Sequence, residues 1–412
     1  MLILARHYGH PHRGGTPSLD RIDESILMDL RVIQAKQARF CVGLMSGSSC
    51  DGVDAALVRI KGTGKSLAMK LIAHETFPYT AGLKNRLLDE HLSLKDACAL
   101  DFELGERFAE AAQAMIDKAQ EDETPVDFVA SHGHTLAHLP PRSNERIGTL
   151  QIGQSAIVAE RCGVHVVSDF RPRDMAAGGE GAPLVPYVDW LLFHRLKRSI
   201  TCLNIGGIAN YTVVTPEFRN ISAFDTGPGN MAIDGAMRLL TRGEQDMDVN
   251  GKAAAKGMII DEFLEYLLDH PFFSKVPPKS TGREEFGMQV YLRDALNARA
   301  EHSLEDLIAT VTEAVAVSII DAYDRFIKPE TPAEHIIIGG GGAHNKTLYK
   351  RLEEGFSGSQ VFTSDQYGIP TDAREAIAFA ILGNECIMGT EANVPHATGA
   401  ERRVILGKIT PA

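Results

Sequence analysis

An apolar, strand-like run that stops on a glycine-rich turn occurs in both halves of this 412-residue chain, and more than once in the second. The instances are FCVGLMSGSS (40–49), TCLNIGG (201–207) and HIIIGGGG (335–342). Glycine at a strand end gives up side-chain contacts and costs chain entropy, so it marks a close approach to the backbone. Around the first turn, VDAALVRI (53–60) and LAMKLIAHETF (67–77) follow FCVGLMS and predict three strands in a meander. Further strands are predicted at 126–131, 149–153, 164–170 and 404–409. Helical periodicity covers 84–121, 155–162, 184–195, 231–240, 258–269, 304–326 and 371–388. Strands and helices interleaved in this way predict an α/β fold. No fixed repeat of ~20–50 residues is present.

The segment RPRDMAAGGEGAP (171–183) is a glycine-rich break between two strongly patterned halves. We place the domain boundary there: an N-terminal extension over 1–39, a first domain from 40–173 plus 391–412, and a second from 174–390. Within the extension, Ile22, Ile26, Leu27, Leu30 and Ile33 predict one amphipathic helix between residues 19 and 39. Asp20, Asp23, Glu24 and Asp29 argue against a basic targeting helix.

Net charge is −12 and there is one Trp, so no nucleic-acid or anionic membrane partner is expected. ATP is not excluded, because backbone N–H groups and Mg²⁺ grip a nucleotide locally. The six cysteines form no C-x-x-C pair and fit no zinc spacing, which predicts free thiols in a reducing compartment. No apolar run reaches the ~20 residues of a membrane span, and the N-terminus lacks a signal-peptide pattern, so a cytoplasmic protein is expected.

Four clusters carry chemistry. SGSSCDG (46–52) offers backbone N–H groups, Ser hydroxyls and Asp51, a candidate Mg²⁺ carboxylate; an ordinary hairpin turn has the same composition. FDTGPGN (224–230) puts Asp225 at a strand end as a candidate general base, with Asn230 placed to cap the next helix. Gly206 and Gly207 offer a second turn for the same anion. The four glycines 339–342 imply close approach of adenine or ribose, with the helix near Asn345 directing its dipole inward. A dinucleotide site is the rival, but the expected acidic residue is missing, and no P-loop is present. HGHT (132–135), DFRPRD (169–174) and GGEGAPL (178–184) gather imidazoles and guanidiniums at the domain junction, where Arg173 is a candidate partner for a carboxylate or phosphate. Thr281 and Glu284 in PPKSTGREEF (277–286) have capping-box spacing.

These clusters together resemble the anhydro-N-acetylmuramic acid kinase family. The matching segments, in the family's order, are GLMSGSSCDGVDAAL, SHGHT, TLQIG, VVSDFRPRDMAAGGEGAPLVP, LNIGGIAN, FDTGPGN, PPKSTGREEF, GGGGAHN and REAIAFA. The resemblance implies a two-lobed actin/hexokinase-like (ribonuclease H-like) fold with a central ATP cleft. It implies ATP and Mg²⁺ as cofactors, a small-molecule sugar substrate, a homodimer and a role in peptidoglycan recycling. The implied reaction opens the 1,6-anhydro ring with water and phosphorylates O6. Asp225 matches the catalytic base. Gly47, Ser48, Ser49, Cys50, Asp51, Gly52, Val53 and Asp54 match the first phosphate loop. Gly339, Gly340, Gly341 and Gly342 match later nucleotide contacts, and Gly206, Gly207 and Gly227 are further candidate nucleotide contacts. His134, Thr135, Arg173 and Glu375 match sugar-site positions. The chain departs from the family at His134, where Gln is usual, and at Ser48-Ser49-Cys50, where Thr-Ser-Leu is usual. A levoglucosan-type kinase and a non-catalytic ATP-dependent binding protein on the same fold are the alternatives.

Overall fold

The computed structural model describes residues 30–47, 49–89, 91–121, 123–141 and 146–412. Contact density separates residues 1–36 from 37–412. Most of the helix expected in the extension lies outside the described residues; what is described is helical over 30–35.

Among the described residues, the body, 37–412, contains two sheets. The first has strands β1 (Ala38–Ser46), β2 (Gly52–Lys61), β3 (Ala68–Pro78), β4 (Phe128–Leu139), β5 (Gly148–Ile152), β6 (His165–Ser168) and β12 (Lys408–Thr410). Its order is β12-β6-β4-β1-β2-β3, with β5 added to β4. The second has β7 (Ile200–Ile205), β8 (Ile208–Val214), β9 (Ser222–Pro228), β10 (His335–Gly339) and β11 (Gln360–Thr363) in the order β11-β10-β7-β8-β9. The two share one plan. A three-strand antiparallel meander (β1-β2-β3 or β7-β8-β9) is extended by two parallel strands (β4 and β6, or β10 and β11) beside its first strand. The expected α/β class with two similar halves is what is observed. The plan fixes where function can sit, because both meanders make their first turn at the edge where the parallel strands also end.

Alternation along β1 explains its burial. Val42 and Leu44 pack with Leu100, Leu104 and Phe108 of the long helix Leu94–Glu121. Cys41 and Gly43 point the other way, onto the helix Arg374–Ile387. A Cβ on Gly43 would lie 1.9 Å from the carbonyl oxygen of Ala376, so glycine is what lets strand and helix touch. In the second half, Leu307, Val311 and Val315 of the helix Leu304–Phe326 share a core with Leu203, Tyr211 and Ile336.

Several local expectations need correction. β4 runs on to Leu139, so HGHT lies within a strand. The strand expected over 164–170 ends at Ser168, and Phe170–Ala176 is a helix inside the expected glycine-rich break. Asn230 is not a cap: Gly229 precedes the helix Asn230–Leu240, and Asn230 Nδ2 donates to the carbonyl of Ile205 at 3.4 Å. Thr281 does not cap the short helix Arg283–Phe286; its hydroxyl donates to Glu285. The helix Arg374–Ile387 falls within the range read as the second domain, yet its body lies against β1, β2 and β4 of the first sheet.

That helix begins on a buried ion pair. Arg374 Nη2 lies 2.6 Å from Asp189 Oδ1 on the helix Val185–Phe193. Both side chains are almost wholly buried. Asp189→Ala leaves an uncompensated buried guanidinium, so it should lower unfolding stability by about 3–5 kcal/mol. Urea denaturation of the purified variant checks this; an unchanged midpoint contradicts it.

Candidate active site

The first turn, 46–52, is anchored from below and open above. Ser46 is buried, and its Oγ accepts from Tyr79 Oη at 3.0 Å. Gly47 has nothing within 4 Å of where a Cβ would stand, so no protein contact explains its glycine and space remains for a ligand. Ser48 lies outside the described residues, and Ser49 is exposed. Cys50 is wholly buried at φ 54, and its thiol is pushed up by burial. Asp51 is exposed and meets Lys84 Nζ at 2.6 Å. Gly52 is required by packing, since a Cβ would meet the carbonyl of Phe77 at 2.3 Å. Val53 points into the core, which leaves only its backbone for a ligand. Asp54 accepts from Thr76 Oγ1 at 2.6 Å. Burial pushes Asp54 up to about 6, with the nearby charges of Glu375, Asp372 and Asp51 adding to the rise.

His134 belongs to this turn. Its Nδ1 is 3.1 Å from Ser46 Oγ and its Nε2 is 3.8 Å from Cys50 Sγ. Burial first, then the Arg283 charge, lowers its pKa to about 4. Thr135, the next residue, accepts from Gln151 Nε2 at 3.3 Å on β5.

In the second half the turn 206–207 and the glycines after β10 lie side by side. The carbonyls of Gly206 and Gly207 accept from the N–H groups of Asn230 and Gly229, both at 2.8 Å. These first N–H groups after β9 are therefore satisfied within the protein. The four-glycine run reads differently from the sequence expectation. Packing demands three of the four. A Cβ on Gly339 would meet Arg374 Nη1 at 2.6 Å, and one on Gly342 would meet Ile205 Cγ2 at 2.3 Å. Gly340 has φ 79 and lies against the Ile205 carbonyl. Gly341 is the least crowded, a Cβ there standing 3.3 Å from Asn230 Nδ2, which would have to give way. Gly227 is likewise set by φ 141 and by the Phe273 ring.

Asp225 sits on β9 opposite Asn210, half-buried. Its N–H donates to the Lys279 carbonyl at 3.0 Å, and its Oδ2 accepts from the Thr281 N–H at 2.9 Å. Burial raises its pKa to about 7 against the lowering effect of the Thr281 bond; Glu284 raises it further and Lys279 lowers it. The segment that holds Asp225 then crosses to the first half. Arg283, two residues beyond Thr281, lies beside the Cys50 thiol, where its charge opposes the rise that burial causes. Asp225 and the 46–52 turn are thus joined through one short stretch of chain.

Glu375, in the first turn of the Arg374–Ile387 helix, completes the wall. It bonds to the Asn204 side chain, and burial raises its pKa against the opposing charges of Arg374 and Arg171. Arg171 is the inward guanidinium: its Nε donates to His132 Nε2 and its Nη1 to the Gly181 carbonyl, both at 3.0 Å. Arg173, chosen from the sequence, is exposed on the same helix, with its charge felt at Cys386. The difference is one of helix geometry: two residues apart on a helix face different ways. Arg171, Lys84, Asn204 and Arg283 were missed by the sequence reading. Arg171 and Arg283 stood inside segments already singled out, and nothing in the spacing distinguishes Lys84.

Comparison with known proteins decides the family. The family model for anhydro-N-acetylmuramic acid kinase matches residues 39–412. The chain belongs to the anhydro-N-acetylmuramic acid kinase family. The anhydro-N-acetylmuramic acid kinase of Caldanaerobacter subterraneus subsp. tengcongensis is 42% identical over 391 residues, covering 92% of this chain and 98% of that one. That of Clostridioides difficile is 45% identical over 381 residues, covering 90% and 98%. Among solved structures, a glucokinase from Streptomyces griseus in complex with glucose and AMPPNP has 12% identity and a TM-score of 0.33, with 83% of this chain and 98% of that one covered. The assignment rests on the sequence relatives.

In this family member no group of three or more His, Cys, Asp or Glu side chains converges on a metal position among the described residues. Asp51 is the exposed carboxylate of the first turn, and one of its oxygens already holds Lys84. A donor set of hard oxygens with one free carboxylate oxygen fits Mg²⁺ shared with phosphate oxygens better than a closed protein cage.

The neutral His134 gives a direct check. Its C2-proton resonance should stay flat between about pH 5.5 and 8, whereas an unperturbed imidazole titrates near 6.5. A midpoint near 6.5 contradicts the buried, loop-bound ring.

Proposed function

We propose that the protein is an ATP-dependent kinase that opens the 1,6-anhydro ring of anhydro-N-acetylmuramic acid and phosphorylates O6, giving N-acetylmuramic acid 6-phosphate. The supporting observation is Asp225. Its carboxylate is raised to about 7 and held by the Thr281 N–H, in a segment that also reaches the 46–52 turn.

Asp225 takes a proton from water, and the water oxygen bonds to C1 as the C1–O6 bond breaks. O6, carrying the released electron pair, attacks the γ-phosphorus while the bond to the ADP oxygen breaks. The proton on Asp225 returns to solvent, so the balance is sugar plus water plus ATP to sugar phosphate plus ADP plus a proton. A base near neutrality combines a useful ionised fraction with proton affinity. The backbone at Gly47, Ser49, Cys50, Gly52, Val53 and Asp54 and at Gly206, Gly207 and Gly341 holds the nucleotide. Asp51, with Lys84 beside it, would hold Mg²⁺, which would supply charge neutralisation for the transferring phosphoryl group. Arg171, fixed by His132 and facing Glu375, takes the cationic place in the sugar site that the sequence reading gave to Arg173. Thr135 and Glu375 complete that site. His134 bonds to Ser46 and Cys50, which supports a role under the phosphate turn.

We further propose lobes over 40–173 with 391–412 and over 174–390, the helix Arg374–Ile387 going with the first, that close on both substrates, a cytoplasmic location, and a homodimer. No helix among the described residues is long and apolar enough to cross a membrane.

Asp225→Asn should bind ATP normally and lose about 10²–10⁴-fold in turnover with the anhydro sugar. In the parent, activity should fall as pH drops through about 7, because the base works only when ionised. Coupled assays of ADP release across pH check both. Near-parent turnover in the variant, or a profile flat to about pH 5, removes Asp225 from this role.

A further inference from the structure

Cys50 stands where the turn least favours a side chain with a Cβ. At φ 54 it lies in the left-handed region, which is strained for residues with a Cβ and suits glycine. Such a conformation persists only where surrounding contacts over-determine it. Here the contacts are specific. The buried thiol lies 3.8 Å from His134 Nε2, and the Arg283 guanidinium stands beside it. The other ring nitrogen of His134 reaches Ser46 Oγ, which in turn accepts from Tyr79. Ser46 and Cys50 flank the open Gly47, so one imidazole braces both shoulders of the turn from beneath.

We propose that His134, Cys50 and Arg283 form one positioning unit that locks the 46–52 turn to the segment carrying Thr281, so that the phosphate-holding backbone and the Asp225 carboxylate are set relative to each other. The inference deepens the kinase reading and rests on it. None of the three side chains acts on a reacting atom in this role. The unit works by geometry: Arg283 and Thr281 belong to one stretch of backbone, and the latter's N–H holds Asp225. A thiol at position 50 is thus the knot between a strand turn of the first half and a loop of the second.

Glycine and serine at position 50 separate this role from a merely conformational one. If only the left-handed backbone matters, Cys50→Gly should match or improve on the parent, since glycine adopts that conformation freely. If the thiol is the knot, Cys50→Gly should weaken ATP binding about tenfold, and Cys50→Ser, which keeps a hydrogen-bonding atom, should stay within about threefold of the parent. Arg283→Met should also weaken ATP binding about tenfold, and Cys50→Gly with Arg283→Met together should be no worse than either alone, because both cut the same link. The readout is the ATP dissociation constant by isothermal titration, with melting temperatures to confirm folding. If a variant carrying Cys50→Gly does not fold, Cys50→Ala substitutes for it in the cycle. Losses that multiply to about a hundredfold, or a glycine variant equal to the parent, overturn the proposal. Turnover with the anhydro sugar, followed in parallel on the parent, reports separately on the kinase reading, because ATP affinity is measured without any reaction.

Discussion

The site depends on one helix that belongs to both halves. Arg374 opens the helix Arg374–Ile387 on a buried ion pair with Asp189, next to the glycine turn of the second sheet. Its body then runs along the first sheet, close enough to β1 that only Gly43 fits beneath Ala376. Glu375 is therefore not placed by its own loop. It is placed by an ion pair behind it and a strand in front of it, and it meets Asn204 on one side and the Arg171 charge on the other. A buried ion pair is weak evidence for net stability, but it is costly to break, which suits a fixed junction between halves.

From that junction the chemistry follows by proximity. The two meanders present their first turns at corresponding sheet edges, and the 277–286 segment links them through Thr281 on Asp225 and Arg283 on Cys50. Burial then tunes the carboxylates. Asp225 and Asp234 are both pushed up to about 7, and Asp54 to about 6. In Asp54 and Asp234 the rise also reflects the nearby Asp51 charge. Asp54 and Asp234 thus both stand near Asp51, and carboxylates that resist joint ionisation suit a cation placed among them.

Much of the architecture was legible because it is periodic. The helix Leu304–Phe326 and the strand pair about Gly206-Gly207 show their hydrophobic spacing directly in the residues. The candidate base was legible too, since Asp225 ends an apolar run and precedes a tight glycine turn. What could not be read is set by tertiary contact. Nothing local tells that Gly339, Gly340 and Gly342 answer to Arg374 and Ile205, leaving Gly341 the least crowded of the four. Nothing local chooses Arg171 over Arg173, because the choice depends on a helix that starts at Phe170 inside a segment rich in glycine. The place of His134 under the 46–52 turn follows from the parallel pairing of β4 with β1, which sets it opposite Ser46.

The central claim is that one gap holds both the water-activating carboxylate and the phosphoryl donor, so that the oxygen freed from the anhydro bridge is the oxygen that is phosphorylated. Anhydro-N-acetylmuramic acid carrying ¹⁸O in its bridge tests this in a single turnover with ATP, read by ³¹P NMR of the sugar phosphate. The account predicts an isotope-shifted phosphomonoester signal, because the bridge oxygen stays on C6 and bonds to phosphorus. An unshifted phosphomonoester, or labelled sugar beside free inorganic phosphate, would contradict it.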